Sequence, residues 1–157
     1  YRFTSYMTTA LRAMWALHVT GGLEEKWLLE QTHDAREHIR VWAIKLLNDS
    51  DAPSKAALKR VVNMAKTDTA GLVQLELAST LQRLPHADRW PLATALVSHK
   101  KFANDPVLPL MVWYGLNPAI PKNRAEALKL IAKCKIPKVR QFIARRLAGE
   151  SGNNDKK

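Results

Sequence analysis

Cysteine is almost absent from this sequence of 157 residues, since Cys134 is the only one. A single thiol excludes an internal disulfide and any metal site built from several cysteines. Glycine is also scarce, with six residues, and none belongs to a phosphate-binding loop or a nucleophile elbow. The longest uncharged apolar stretches, such as residues 107–116, are too short to cross a bilayer. The sequence therefore predicts no membrane insertion and none of these catalytic motifs.

The sequence also lacks the alternation of β-branched and polar residues that would indicate β-strands. Apolar residues recur instead at helical spacing, in segments separated by short turns. Such short connections are typical of neighbouring antiparallel helices. We predict helices at residues 1–20, 23–31, 33–48, 55–66, 70–84, 88–99, 107–116, 123–133 and 138–148. They are expected to form one array over residues 1–148, followed by a polar, disordered tail at 149–157.

A short pattern recurs in the second helix of each predicted pair. An apolar residue precedes Arg12, Arg40, Gln74, Pro109 and Arg140, and these positions are separated by 28, 34, 35 and 31 residues. This period is typical of two-helix repeats, whose units run roughly 33–47 residues. The sequence therefore predicts an all-α fold, a right-handed α-solenoid of about five degenerate helical hairpins.

The Val139-Arg140 dipeptide, with Ala144 four residues later, resembles the inner helix of HEAT repeats. In that family the arginine typically reaches an aspartate of a neighbouring repeat. The resemblance implies that Arg12, Arg40 and Arg140 form a structural ladder. Gln74 and Pro109 occupy the same position in two hairpins, so the ladder is expected to be interrupted in the middle of the array.

Four segments carry a closer resemblance. They are ALRAMWALH (10–18), IRVWAIKLL (39–47), DPVLPLMVWY (105–114) and KIPKVRQFIARRL (135–147). Together they resemble the HEAT-repeat region of planctomycete and verrucomicrobial membrane-bound dehydrogenase or haem-binding domain proteins. In that family a propeller precedes the region and a c-type cytochrome domain follows it, which implies a periplasmic or secreted protein. No Cys-x-x-Cys-His motif is present, so this segment is expected to carry no haem and no other cofactor.

Positive charge is concentrated towards the end of the sequence. The net charge is +11, and residues 118–157 contain 11 basic and 3 acidic side chains. Such a field favours an acidic partner, either a protein patch, a nucleic acid or another anionic ligand, although it also keeps a domain soluble. The candidate partner-binding residues are Lys122, Arg124, Lys129, Lys133, Lys135, Lys138, Arg145 and Arg146.

Two further groups of residues bear on catalysis or metal binding. Within residues 33–38, His33 and Glu37 share a helix face, as do Asp34 and His38, which could hold a metal. The same stretch begins a predicted helix, and acidic residues are favoured there because they interact with the positive end of the helix dipole. Cys134 lies between two lysines that could lower its pKa, but a packed thiol is the stronger interpretation.

Tryptophan is the most prominent aromatic residue. Trp15, Trp42 and Trp113 recur in the predicted inner helices, where they are expected to fill gaps between hairpins. The alternative is an aromatic groove of the kind found in HEAT-like DNA glycosylases for alkylated bases. Asp105, close in sequence to Trp113, would then be the candidate acid.

These observations favour a non-catalytic scaffold over an enzyme. A repeat array offers an extended surface, and the expected partners are another protein or neighbouring domains of the same polypeptide. By resemblance, the chain is expected to be part of a larger secreted c-type-haem dehydrogenase-like protein. The alternative is a basic nucleic-acid-binding protein, including the glycosylase described above.

Overall fold

The computed structural model describes residues 2–49 and 53–154, with side chains at 6–49 and 53–149. The predicted all-α fold is confirmed, because these residues form α-helices, two short 3₁₀ turns and no β-strand. The helices are α1 (Arg2–Val19), α2 (Glu25–Gln31), α3 (Glu37–Leu47), α4 (Lys55–Thr67), α5 (Gly71–Thr80), α6 (Arg89–Val97), α7 (Leu108–Leu116), α8 (Arg124–Lys133) and α9 (Pro137–Asn154).

Polar side chains set the starts of several helices. The Oγ atom of Ser54 accepts a hydrogen bond from the backbone N–H of Ala57 at 3.1 Å, and Asn123 does the same for Glu126 at 3.2 Å. Each bond satisfies one of the N–H groups that the first turn of a helix leaves without a partner. The starts of α4 and α8 are therefore fixed by local hydrogen bonds.

The helices pack in two layers. One layer places α3 against α5, α5 against α7 and α7 against α9, while the other places α4 against α6 and α6 against α8. Leu77, Leu92, Leu96 and Leu116 are among the fully buried side chains of the core that the layers enclose. Burial of aliphatic side chains of this size stabilises a fold by about 1.5–3 kcal/mol each.

Arg40 joins two consecutive hairpins. Its Nε atom lies 2.7 Å from Oδ2 of Asp68, and a terminal nitrogen donates to Oδ1 at 3.1 Å. The guanidinium also donates to the backbone carbonyls of Asp34 (2.8 Å) and Ala35 (3.0 Å). The ion pair therefore joins α3 to the turn between α4 and α5.

Three of the five repeat positions share a second contact. Arg40, Gln74 and Arg140 each donate a hydrogen bond to the carbonyl oxygen six residues earlier, in the turn that precedes their helix. For Gln74 this acceptor is Asp68, at 2.8 Å. Gln74 therefore makes this contact within its own hairpin, but its neutral amide cannot form an ion pair with the next hairpin. Pro109 has no side-chain donor for either contact.

The side chain of Arg12 has different surroundings. This side chain is exposed and makes no ion pair within the described part of the chain. Asp34, at the position equivalent to Asp68, is paired instead with Arg36, whose two nitrogens lie 2.8 and 2.7 Å from its oxygens. Arg36 is therefore already bonded to the carboxylate at the position where the repeat pattern would place the partner of Arg12.

The last helix continues beyond the predicted end of the array. The backbone of α9 is helical to Asn154, so the predicted polar tail at 149–157 overlaps its final turns, and residues 155–157 lie outside the described residues. At the other end, α1 is incompletely covered, with Met14 buried and Trp15 37% exposed. Part of the apolar surface of α1 is therefore exposed.

Candidate functional site

An open groove crosses the α4–α6 layer. Its volume is about 670 Å³, and its floor is apolar, formed by Leu58 and Val62 of α4 and Pro91 of α6. A second hollow of about 340 Å³ continues it across α6, sharing Val62, Lys66 and Pro91 with the first. Binding sites commonly combine a cleft of about 300–1,000 Å³ and an apolar lining with a few polar groups, whereas five of the nine residues that line this groove are polar or charged.

Basic side chains border the groove along α4. Lys59 and Lys66 are both exposed, line the groove and make no ion pair within the described residues. They are seven residues apart and therefore lie on one face of α4, about 10 Å apart along its axis. Asp88 is an acidic residue that also lines the groove, at the start of α6. The groove is therefore apolar at its floor and positive along one wall.

Arg60 also lines the groove, and its guanidinium is held by the neighbouring hairpin. Its Nε donates to Oγ1 of Thr32 at 2.6 Å, and a terminal nitrogen donates to the Thr32 carbonyl at 3.0 Å. Burial lowers the pKa of Arg60 from its ordinary value. These bonds fix α4 against the end of α2, so the α4 wall of the groove is anchored to a neighbouring element.

The predicted basic set is divided by the fold. Lys133, Lys135 and Lys138 are exposed at the turn between α8 and α9. Arg124 lies at the opposite end of α8, about 14 Å along its axis, and donates to the carbonyl of Leu147 at 3.4 Å. The eight residues therefore do not form one patch.

The remaining members of the set have different surroundings. Lys129 lies 2.7 Å from the carboxylate of Glu126, and Lys122 lies 3.3 Å from Nδ1 of His86. Arg145 and Arg146 are exposed on α9. The charge of Lys129 is thus compensated on its own helix, which separates it from the three lysines of the turn.

The predicted tryptophans pack in two places. Trp15 of α1 and Trp42 of α3 meet edge to face, with ring centroids 4.7 Å apart. Trp113 of α7 packs on Phe142 of α9 at 5.4 Å. Each contact joins consecutive helices of one layer, which agrees with the expectation that the rings fill gaps between hairpins.

A charged pair lies beside the first aromatic contact. The Nζ atom of Lys45 is 5.0 Å from the ring centre of Trp42 and 3.5 Å from Oε2 of Glu76. Burial raises the pKa of Glu76, and the charge of Lys45 opposes that rise. Lys45 and Glu76 are 31 residues apart in sequence, so no local motif indicated the pair.

Asp105, the candidate acid of the glycosylase alternative, lies at the start of α7. Its Oδ1 atom accepts hydrogen bonds from the backbone N–H groups of Val107 (2.8 Å) and Leu108 (2.7 Å). These bonds cap the first turn of α7, which gives the carboxylate of Asp105 a structural role.

Cys134 is buried, and its thiol donates to the carbonyl of Ile136 at 3.3 Å. Burial raises the pKa of this thiol, so the expectation that neighbouring lysines could lower it is wrong, because their charged ends are exposed. In the stretch 33–38, the hydrogen bonds from Arg36 lower the pKa of Asp34. Within the described ranges, no group of three or more His, Cys, Asp or Glu side chains is arranged to hold a metal ion.

None of the helices in residues 2–49 and 53–154 combines the length and apolar character needed to span a membrane.

Comparisons with protein-family models, curated proteins and solved structures gave no match to this chain. The two resemblances described above therefore stay predictions. The groove and the arrangement of charge around it are the observations on which a functional argument can rest.

Sequence reasoning did not identify the groove or Arg89. Arg89 is buried, and its guanidinium donates to the carbonyls of Leu84 (2.8 Å), Gly115 (2.6 Å) and Gln82 (3.2 Å). It thereby joins the end of α5 to the end of α7. Arg89 directly follows Asp88 in sequence, and nothing in that local pattern indicates contacts with three backbone carbonyls.

Proposed function

We propose that this chain is a non-catalytic helical-repeat scaffold, a right-handed α-solenoid of HEAT-like hairpins that binds a partner protein. The two layers of helices support this architecture, as do the recurring contacts at Arg40, Gln74 and Arg140. An array of this kind presents a continuous surface formed by several hairpins, which suits it to binding an extended partner.

The α4–α6 groove is the observation that carries the proposal. From Ala56 to Lys66 its α4 wall is about 15 Å long, enough for three turns of a bound helix. The apolar floor would receive residues spaced i, i+3, i+4 and i+7, as in other helix-in-groove complexes. Lys59 and Lys66 would face acidic residues at the edge of that helix. The partner segment is therefore an amphipathic helix with an acidic flank.

The resemblance to haem-dehydrogenase-like proteins supports a more specific setting. In that setting the chain is a connector within a larger secreted protein, and the helix that it binds belongs to a partner or to a neighbouring domain. The redox reaction would then take place on another part of the polypeptide, because this segment lacks a haem attachment motif.

A designed peptide tests the groove directly. A fluorescent amphipathic helix of about 14 residues, with leucines on one face and glutamates beside them, should bind the protein. The same peptide with lysines in place of the glutamates should bind at least about tenfold more weakly. In a methyl-labelled sample, the acidic peptide should shift the signals of Leu58 and Val62.

Charge reversal provides the matched variants. Lys59→Glu with Lys66→Glu should reverse the preference between the two peptides, because both side chains border the groove. Lys135→Glu with Lys138→Glu changes the net charge equally at another surface and should leave the preference intact. Equal binding of both peptides to the unmodified protein, or methyl shifts confined to residues outside the groove, would refute the assignment.

A further inference from the structure

Five exposed lysines, none of which lines the groove, lie in and beside two neighbouring turns. The turns are residues 98–107 between α6 and α7 and residues 134–136 between α8 and α9. The backbone N–H of Lys135 donates to the carbonyl of Val97 at 2.7 Å, which places one turn directly beside the other. We call this group of residues the lysine patch, and its members are Lys100, Lys101, Lys133, Lys135 and Lys138.

One acidic residue lies within these turns and keeps its negative charge, so five lysines face a single carboxylate. Asp105 lies in the first turn, and its Oδ1 atom accepts two backbone N–H groups at the start of α7. All five lysines are exposed, and no ion pair involves them within the described residues. Lys101 is fixed by a 2.8 Å hydrogen bond to the carbonyl of Thr69, which leaves its positive charge in place.

The side chains of the lysine patch favour one class of anionic ligand over another. The aromatic ring in these turns, Phe102, is partly buried against the core and contacts His99, so it does not offer a platform for unstacked bases. A surface with lysines but no exposed aromatic ring suits the phosphates of a double helix better than single-stranded bases. Lysines contacting phosphates alone would bind without regard to sequence.

We propose that the lysine patch binds the phosphate backbone of duplex nucleic acid. This function is additional to the binding of a protein segment in the α4–α6 groove. It uses only part of the basic set predicted from the sequence, namely Lys133, Lys135 and Lys138, and adds Lys100 and Lys101 from the neighbouring turn. Patch and groove use different lysines and can be tested independently.

Fluorescence anisotropy with a labelled DNA duplex of about 20 base pairs tests the proposal. If four lysines contact phosphates, the logarithm of the association constant should fall with the logarithm of salt concentration with a slope of about −3.6. A single strand of the same length should bind more weakly, since the patch lacks a stacking surface. Tighter binding of the single strand would overturn the proposal for a duplex.

Paired substitutions identify the site. Lys135→Gln with Lys138→Gln should weaken duplex binding at least about tenfold and make the salt slope less steep by about 1.8. The control, Lys59→Gln with Lys66→Gln, removes the same charge at the groove and should weaken binding less than about threefold. All four side chains are exposed, and circular dichroism should confirm the helical content of both variants. Equal losses in the two variants would show that affinity follows net charge, and would overturn the patch.

Discussion

Replacing Arg40 by Met should destabilise the fold more than any comparable change at the other two predicted ladder arginines. The guanidinium makes two bonds to Asp68 and two to backbone carbonyls. The Arg40 and Asp68 side chains are 14% and 10% exposed, so water can replace these bonds only in part. Removal of one partner leaves the Asp68 carboxylate largely desolvated.

The expected cost follows from this burial. Breaking a fully buried pair costs about 3–5 kcal/mol, and exposed pairs contribute about 0–1 kcal/mol. For this partly exposed pair, with its additional carbonyl bonds, we expect a loss of about 3 kcal/mol for Arg40→Met. In a domain of this size the melting temperature should fall by about 9 °C.

A double-mutant cycle separates the ion pair from the carbonyl bonds. Asp68→Asn retains an oxygen that can accept the N–H of Ala70, which bonds Oδ1 of Asp68 at 2.9 Å. Urea unfolding of the single and double variants should give a coupling energy of about 2 kcal/mol between Arg40 and Asp68. Coupling near zero would contradict the bridge between hairpins.

The equivalent arginines provide matched controls. Arg140 is exposed and retains the carbonyl contact with Cys134, so Arg140→Met should cost about 1 kcal/mol. Arg12 is exposed without an ion pair in the described residues, so Arg12→Met should change stability by less than about 0.5 kcal/mol. Similar losses for all three variants would refute the reasoning, because it rests on their different partners.

Three further substitutions test other parts of the structure. Gly115→Ala would place a Cβ atom 2.4 Å from Cβ of Leu81, so urea unfolding should show a loss of about 2 kcal/mol; an unchanged midpoint would argue against this close approach. Arg89→Met removes the donor of three hydrogen bonds to backbone carbonyls, two of them buried, and should lower stability by at least about 2 kcal/mol in the same assay. A neutral effect would contradict its role in joining the ends of α5 and α7. Burial raises the pKa of Glu76 above the ordinary value of 4.5, so the folded state holds this proton more tightly than the unfolded state. Its contribution to stability should therefore grow as pH falls from neutral through the folded pKa to the ordinary value. Glu76→Gln should lack this gain in denaturation measured across that range, and an identical pH dependence in both proteins would exclude Glu76 as its source.

The helices could be predicted because the signals that specify them are local. Apolar spacing and turn residues placed each of the described helices, with errors at the ends such as that of α9, which extends to Asn154. Helix ends depend on marginal contributions from polar residues, and short-range pattern determines them poorly.

The ladder shows the limit of repeat patterns. Arg12 and Arg40 occupy the same predicted position, yet only Arg40 reaches an aspartate of the next hairpin. Asp34 is paired with Arg36, two residues away, and that competition is settled by local geometry. A pattern of residue types does not show which of two neighbouring cations holds a carboxylate.

The groove could not be predicted from the sequence, because it arises between elements. In the helical pattern of the sequence, Lys59 and Lys66 fall on the solvent-facing side of α4, and Val62 falls among the core positions. Only the distance between α4 and α6 turns these residues into the wall and floor of one site. The lysine patch likewise depends on the contact between two turns that are about 30 residues apart in sequence.

The most direct test of the proposed scaffold compares two ligands on two charge-reversed proteins. Anisotropy would measure the affinity of the acidic helical peptide for Lys59→Glu/Lys66→Glu and for Lys135→Glu/Lys138→Glu, with duplex DNA measured in parallel. We predict that Lys59→Glu/Lys66→Glu binds the acidic peptide at least about tenfold more weakly and binds the duplex as before. Lys135→Glu/Lys138→Glu should bind the duplex at least about tenfold more weakly and bind the peptide as before. If the first protein binds the acidic peptide as tightly as the unmodified chain does, the α4–α6 groove is not the partner site.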